Sequence, residues 1–158
     1  MTDARFEDGG DDALTLAAQD GASLTVLSAL LQDAVFAISE MAYAKPRRRF
    51  AILLNRFRWE DRTQATAANR PYERVQSLLV FHDVLAVQTS GIHRGDKDTV
   101  LSLLQIEFTP GPDGTGRATL IFAGDGSVAL TLESIDITLR DVTRPHFAAS
   151  KTAPDHNL

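Results

Sequence analysis

Wherever this chain is periodic its period is almost always two, and that constrains its fold more than any other property. Residues 50–60 alternate most clearly. Phe50, Ile52, Leu54, Arg56, Arg58 and Glu60 share one face, and Ala51, Leu53, Asn55, Phe57 and Trp59 share the other. Residues 35–40, 74–82, 84–90, 100–109 and 117–122 also read as strands, and Leu14 and Leu16 mark a short one near the start. From Val128 the inward positions are Val128, Leu130 and Leu132, then Ile135, Ile137 and Leu139. A strand cannot change phase at Glu133-Ser134 without a bulge or break, so one is expected there.

One stretch alone has the helical period. Leu24, Leu27, Leu31 and Ala34 fall on one face of about three turns, and Asp20 before Gly21-Ala22-Ser23 supplies an N-cap. Asp33 lies at the end of that helix where its charge opposes the dipole, so another contact is expected to hold it. About eight strands and one N-terminal helix make an α+β domain whose sheet is mainly antiparallel and barrel- or sandwich-like. The link His82-Asp83 lacks two-residue hairpin chemistry, which leaves a turn and a bent single strand both open. Gly124-Asp125-Gly126 and the run from Pro110 to Gly116 are turns. The expected organisation is a flexible acidic arm over 1–12, one β-rich domain over 13–142 and an irregular tail over 143–158, with a long loop at 61–72.

With 158 residues the chain can bury a core without staples, and it contains no cysteine, which excludes disulfides, thiol nucleophiles and cysteine-type zinc sites. The acidic, polar N-terminus lacks a secretory leader and no apolar run is long enough to span a bilayer, so a cytoplasmic protein without membrane contact is expected. The formal charge of −5 disfavours general nucleic-acid binding, which depends on phosphate contacts. That charge is unevenly spread. Residues 1–20 hold six acids and one base, whereas residues 45–62 hold seven bases and two acids.

The basic segment supplies the candidate ligand-binding residues Arg56, Arg58, Glu60, Arg47 and Arg48. Two guanidiniums on one strand face can clamp a carboxylate or phosphate through paired hydrogen bonds, with Phe57 and Trp59 anchoring the strand from its other side. The same arginines could instead pair across strands with Glu60, Glu40 or Glu107. Arg47 and Arg48, with Lys45 and Arg49, could touch nucleic acid, anionic lipid or an acidic protein surface, or form a solvated turn. His93, Asp96 and Asp98 in the 91–98 loop are the nearest approach to a metal site, yet the spacing fits neither a calcium loop nor a zinc pattern. No catalytic residue, metal or cofactor is identified: the histidines are scattered and no phosphate loop is complete.

Gln32-Asp33-Ala34, the segment Asn55-Arg56-Phe57-Arg58-Trp59-Glu60 and Leu139-Arg140-Asp141 carry a resemblance. Over roughly residues 13–147 the chain resembles the DUF2948 family of α-proteobacteria. The resemblance implies a bacterial cytoplasmic protein and brings no activity, cofactor or catalytic residue with it. The expected function is therefore a non-catalytic binding domain for a small anion or an acidic segment of a partner protein. The alternatives are a small metal-dependent hydrolase using the 91–98 loop, and a structural protein that forms a homodimer through a strand edge.

Overall fold

A computed structural model describes residues 13–61, 73–93, 95–142 and 146–147. The arm expected at 1–12, the loop expected at 61–72 apart from its first residue, and most of the tail expected at 143–158 lie outside the described residues. β1 (Thr15–Ala18) leads into the helix α1 (Gly21–Leu30). Asp20 caps that helix as expected: its carboxylate accepts from the Ser23 N–H at 2.8 Å, and the Ser23 hydroxyl accepts from the Asp20 N–H at 3.3 Å. Leu24, Leu27, Leu31 and Ala34 are all buried, so the apolar stripe is the packing face. Asp33 then turns the chain in a left-handed conformation (φ 65°), its N–H donating to the Leu103 carbonyl at 2.7 Å.

Nine more strands and one short one follow: β2 (Val35–Ala37), β3 (Met41–Ala44), β4 (Arg49–Phe57), β5 (Glu73–Phe81), β6 (Val84–Ser90), β7 (Val100–Pro110), β8 (Gly116–Phe122), β9 (Ser127–Leu132), β10 (Ile137–Asp141) and the two-residue β11 (His146–Phe147). The sheet is antiparallel at every pairing, in the order β1-β10-β5-β4-β2-β7-β8-β9-β6, with β3 on β4 and β11 on β5. Ten strands beside the short β11 exceed the eight expected, because the chain divides at His82-Asp83 into β5 and β6, and because the expected strand at 35–40 ends at Ala37 and a separate β3 follows. Its last three residues, Ile38–Glu40, form a 3-10 turn instead. The terminal strands β1 and β6 do not pair with each other, so the sheet is not closed.

The phase slip at 133–134 and the odd link at 82–83 have one cause. β5 pairs with β10 and β6 pairs with β9, yet β5 does not pair with β6. Both chains therefore bend at the same corner as they pass from one half of the sheet to the other. Asp83 takes φ 56° there, the His82 N–H donates to the Asp136 carbonyl, and the Glu133 N–H donates to the Asp83 carbonyl. Side chains from both halves, Leu54, Leu79 and Leu139 on one and Leu103, Leu120 and Leu130 on the other, join α1 in a single buried cluster.

Candidate functional site

The alternation of β4 continues through its charged end, and that decides where Arg56 goes. Phe50, Ile52 and Leu54 are the buried face of the strand, and Arg56 is the next residue on it. The two arginines expected to form a clamp on the strand face are both buried, at 0% and 3% exposure. β4 also stops at Phe57, and Trp59–Asp61 wind into a 3-10 turn, so Arg58 and Glu60 do not continue a strand face. The turn brings the Glu60 carboxylate back onto Arg56, whose Nη1 and Nη2 donate to Oε1 and Oε2, each at 2.8 Å.

Arg56 is saturated by its own fold. Nε donates to Ser77 Oγ and Asp141 Oδ1 (both 3.2 Å), Nη1 also reaches the Phe57 carbonyl (3.1 Å), and Nη2 also meets Asp141 (3.1 Å). A guanidinium has five N–H donors, and these contacts use all of them. Asp141 in turn accepts from Ser77 Oγ at 2.7 Å and from the Leu14 backbone N–H at 2.8 Å. Burial pulls the Arg56 pKa down, but the hydrogen bonds and charges of Glu60 and Asp141 outweigh it and leave the group above its ordinary value. Burial pushes the Glu60 carboxyl up, and Arg56 reverses that, holding it below the ordinary glutamate range. Arg58 donates through Nη1 to Glu73, and Arg74 lies 4.3 Å above the Phe57 ring. Among the described residues the carboxylates that pair with Arg56 and Arg58 include Glu60, Glu73 and Asp141, and not the Glu40 or Glu107 that the sequence offered.

The other sequence candidates separate. Arg48 adopts φ 53° after the 3-10 turn Lys45–Arg47 and pairs with Glu133 and Asp83 across the sheet corner. Arg47 is exposed with Lys45 and Arg49, and among the described residues none of the three has an ion pair. In the 91–98 loop, His93 and Asp96 meet only through backbone, the Asp96 N–H donating to the His93 carbonyl at 2.9 Å. Among the described residues no group of three or more histidines and carboxylates is gathered as for a metal ion.

A cleft that the period-two pattern did not reveal lies between β3 and β6. It encloses about 440 Å³, within the range of small-molecule sites, and Ile38, Phe50 and Val128 are among its apolar lining. Met41 and Tyr43 of β3 and Val87 and Thr89 of β6 form its sides. Lys97 is the one charged residue among those lining it. One end is shut where the two strands are fastened: the Tyr43 hydroxyl donates to the Val84 carbonyl at 2.9 Å, and the Val84 N–H donates to the Arg48 carbonyl at 2.8 Å. At the other end the Ser39 N–H donates to the Lys97 carbonyl at 3.0 Å, which sets Lys97 beside the mouth. Lys97 belongs to the 91–98 loop, and no spacing or motif in the sequence sets it apart there. Nothing in the sequence shows that β3 and β6 face each other.

Among the described residues no helix is long and apolar enough to cross a membrane. Residues 14–156 match the family described as protein of unknown function (DUF2948), and the chain belongs to that family. No curated protein and no solved structure matches it.

Proposed function

We propose that this DUF2948 protein is a non-catalytic binding domain of the bacterial cytoplasm, and that its contact site is the cleft between β3 and β6. Its ligand combines an apolar portion with an anionic group. The observation that carries this reading is the pairing of an apolar cleft of about 440 Å³ with a single lining charge, Lys97. Apolar walls provide affinity by area, and one placed charge fixes orientation. The anion-binding role expected of Arg56 and Arg58 thus passes to Lys97, because the two arginines already hold internal carboxylates. The unpaired Arg47, with Lys45 and Arg49, adds positive potential beyond the closed end of the cleft.

The test is a fluorescence titration with anilinonaphthalene sulfonate, an aromatic probe that carries one anion. Saturable binding to the native protein is expected. Thr89→Trp fills the mouth and should weaken it at least tenfold, and Lys97→Met should weaken it severalfold. Val26→Ser, on the exposed side of α1, should leave it unchanged. Equal binding by the wild type and Thr89→Trp sinks the assignment of the site.

A further inference from the structure

The cleft is bordered by backbone as well as by side chains. β3 pairs with β4 along one edge and β6 pairs with β9 along one edge. Among the described residues no strand takes the other edge of either. Tyr43 and Val84 fasten the two strands at the closed end, and from there the uncovered edges flank the opening. Unpaired N–H and C=O groups on such edges are a template for another chain. Edge strands are ordinarily protected by charge, proline or shortness. β6 runs seven residues, Val-Leu-Ala-Val-Gln-Thr-Ser, with no charged residue and no proline, and only a bulge near Leu85 interrupts its register. β1, the edge at the far end of the sheet, is four residues long and ends against the helix cap.

We infer that the occupant of the cleft is an extended peptide segment of a partner protein, added as a strand along β6. This rests on the reading of the cleft as a binding site, and it names the partner that site takes. An acyl chain or aromatic acid would fill the apolar floor yet leave the polar backbone of β6 unmatched. A peptide strand satisfies that backbone while alternate side chains enter the pocket. The pocket face of β6 is small there, Val87 and then Thr89, which permits close approach. Charge selects the sequence. Lys97 stands at the open end, and Lys45, Arg47 and Arg49 lie past the closed end. The segment is therefore apolar at alternate positions, with acidic residues at its ends.

The experiment uses the full chain and the end-capped octapeptide Glu-Val-Thr-Val-Thr-Val-Thr-Glu, apolar at alternate positions and acidic at its ends, beside the same peptide with every backbone nitrogen methylated. The first peptide should displace anilinonaphthalene sulfonate and slow amide exchange within 84–90 at least tenfold. The methylated peptide should bind at least tenfold more weakly. If the dye binds the cleft but the peptide neither displaces it nor protects β6, strand addition is wrong and the cleft reading stands. Equal affinity of the two peptides also overturns strand addition. If the dye does not bind, or binds Thr89→Trp as well as it binds the wild type, the cleft reading falls and this inference falls with it. Protection of β6 that rises with protein concentration in the absence of peptide makes a second copy of this chain the occupant, which overturns the partner-peptide inference.

Discussion

Burying a guanidinium is costly unless its charge and all its donors are matched, and Arg56 is matched on every side: Glu60 in front, Asp141 and Ser77 across the sheet, and the Phe57 carbonyl behind. Removing it strands two carboxylates. Arg56→Ala should therefore destabilise the fold by about 3–5 kcal/mol in chemical denaturation, whereas Arg47→Ala should change stability by less than about 0.5 kcal/mol. An Arg56→Ala variant as stable as the wild type would mean that the network contributes nothing. The acid limb of stability follows from Glu60. Its carboxyl sits below its ordinary value in the folded state, so the unfolded chain binds a proton first as the pH drops. The stabilisation is complete above the ordinary glutamate pKa of 4.5 and is lost as pH falls through the lower folded value. Asp20, held down by the Ser23 side chain, adds a term of the same sign. Glu60→Gln should reduce the slope of stability between pH 5 and pH 3 without abolishing it, as denaturant midpoints across that range would show. An unchanged slope would remove Glu60 from the account.

At the scale of elements, the residues that local chemistry controls were legible in sequence. Asp20 and Ser23 cap α1, Leu24, Leu27 and Leu31 form its buried stripe, and the phase slip at Glu133-Ser134 marks a true break between β9 and β10. The face shared by Phe50, Ile52, Leu54 and Arg56 was legible too, but the identity of that face was not. Three apolar residues outvote one arginine, and the arginine is carried inward with its counter-ions. Those counter-ions were out of sight because they are tertiary: Asp141 is 85 residues away in the chain. The cleft was invisible for the same reason, since its sides come from β3 and β6, which share no hydrogen-bonded ladder. The turns carry their own test. Gly91 leaves β6 at φ 70°, and a Cβ there would lie 2.7 Å from the Asp125 carbonyl oxygen in the β8–β9 turn. Gly114 has φ 81° with nothing within 4 Å of its Cβ position. Both alanine variants incur the left-handed strain of about 1 kcal/mol, and Gly91→Ala adds a backbone collision. Gly91→Ala should therefore lower the melting temperature clearly more than Gly114→Ala does, and equal shifts would refute the close approach of the two turns.

For the molecule as a whole, one core spans both halves of an unclosed sheet, so side chains join the halves in addition to the ladders of β2 with β4 and with β7. Phe36 against Phe122, edge to face with centroids 5.5 Å apart, is one such contact across the halves. The Arg56 network ties the same molecule together along its length: Asp141 accepts from the Leu14 N–H, and its own N–H donates to the Leu14 carbonyl. That arrangement has a consequence in time. A ribosome adds about 5–20 residues per second, so the 85 residues between Arg56 and Asp141 take on the order of 4–17 s to appear. Until then Arg56 has Glu60 and Ser77 within reach but lacks Asp141, one of the two carboxylates that match its charge. The Arg56 network closes only when β10 has left the exit tunnel, and a chain cut short before residue 141 lacks one of its two counter-charges.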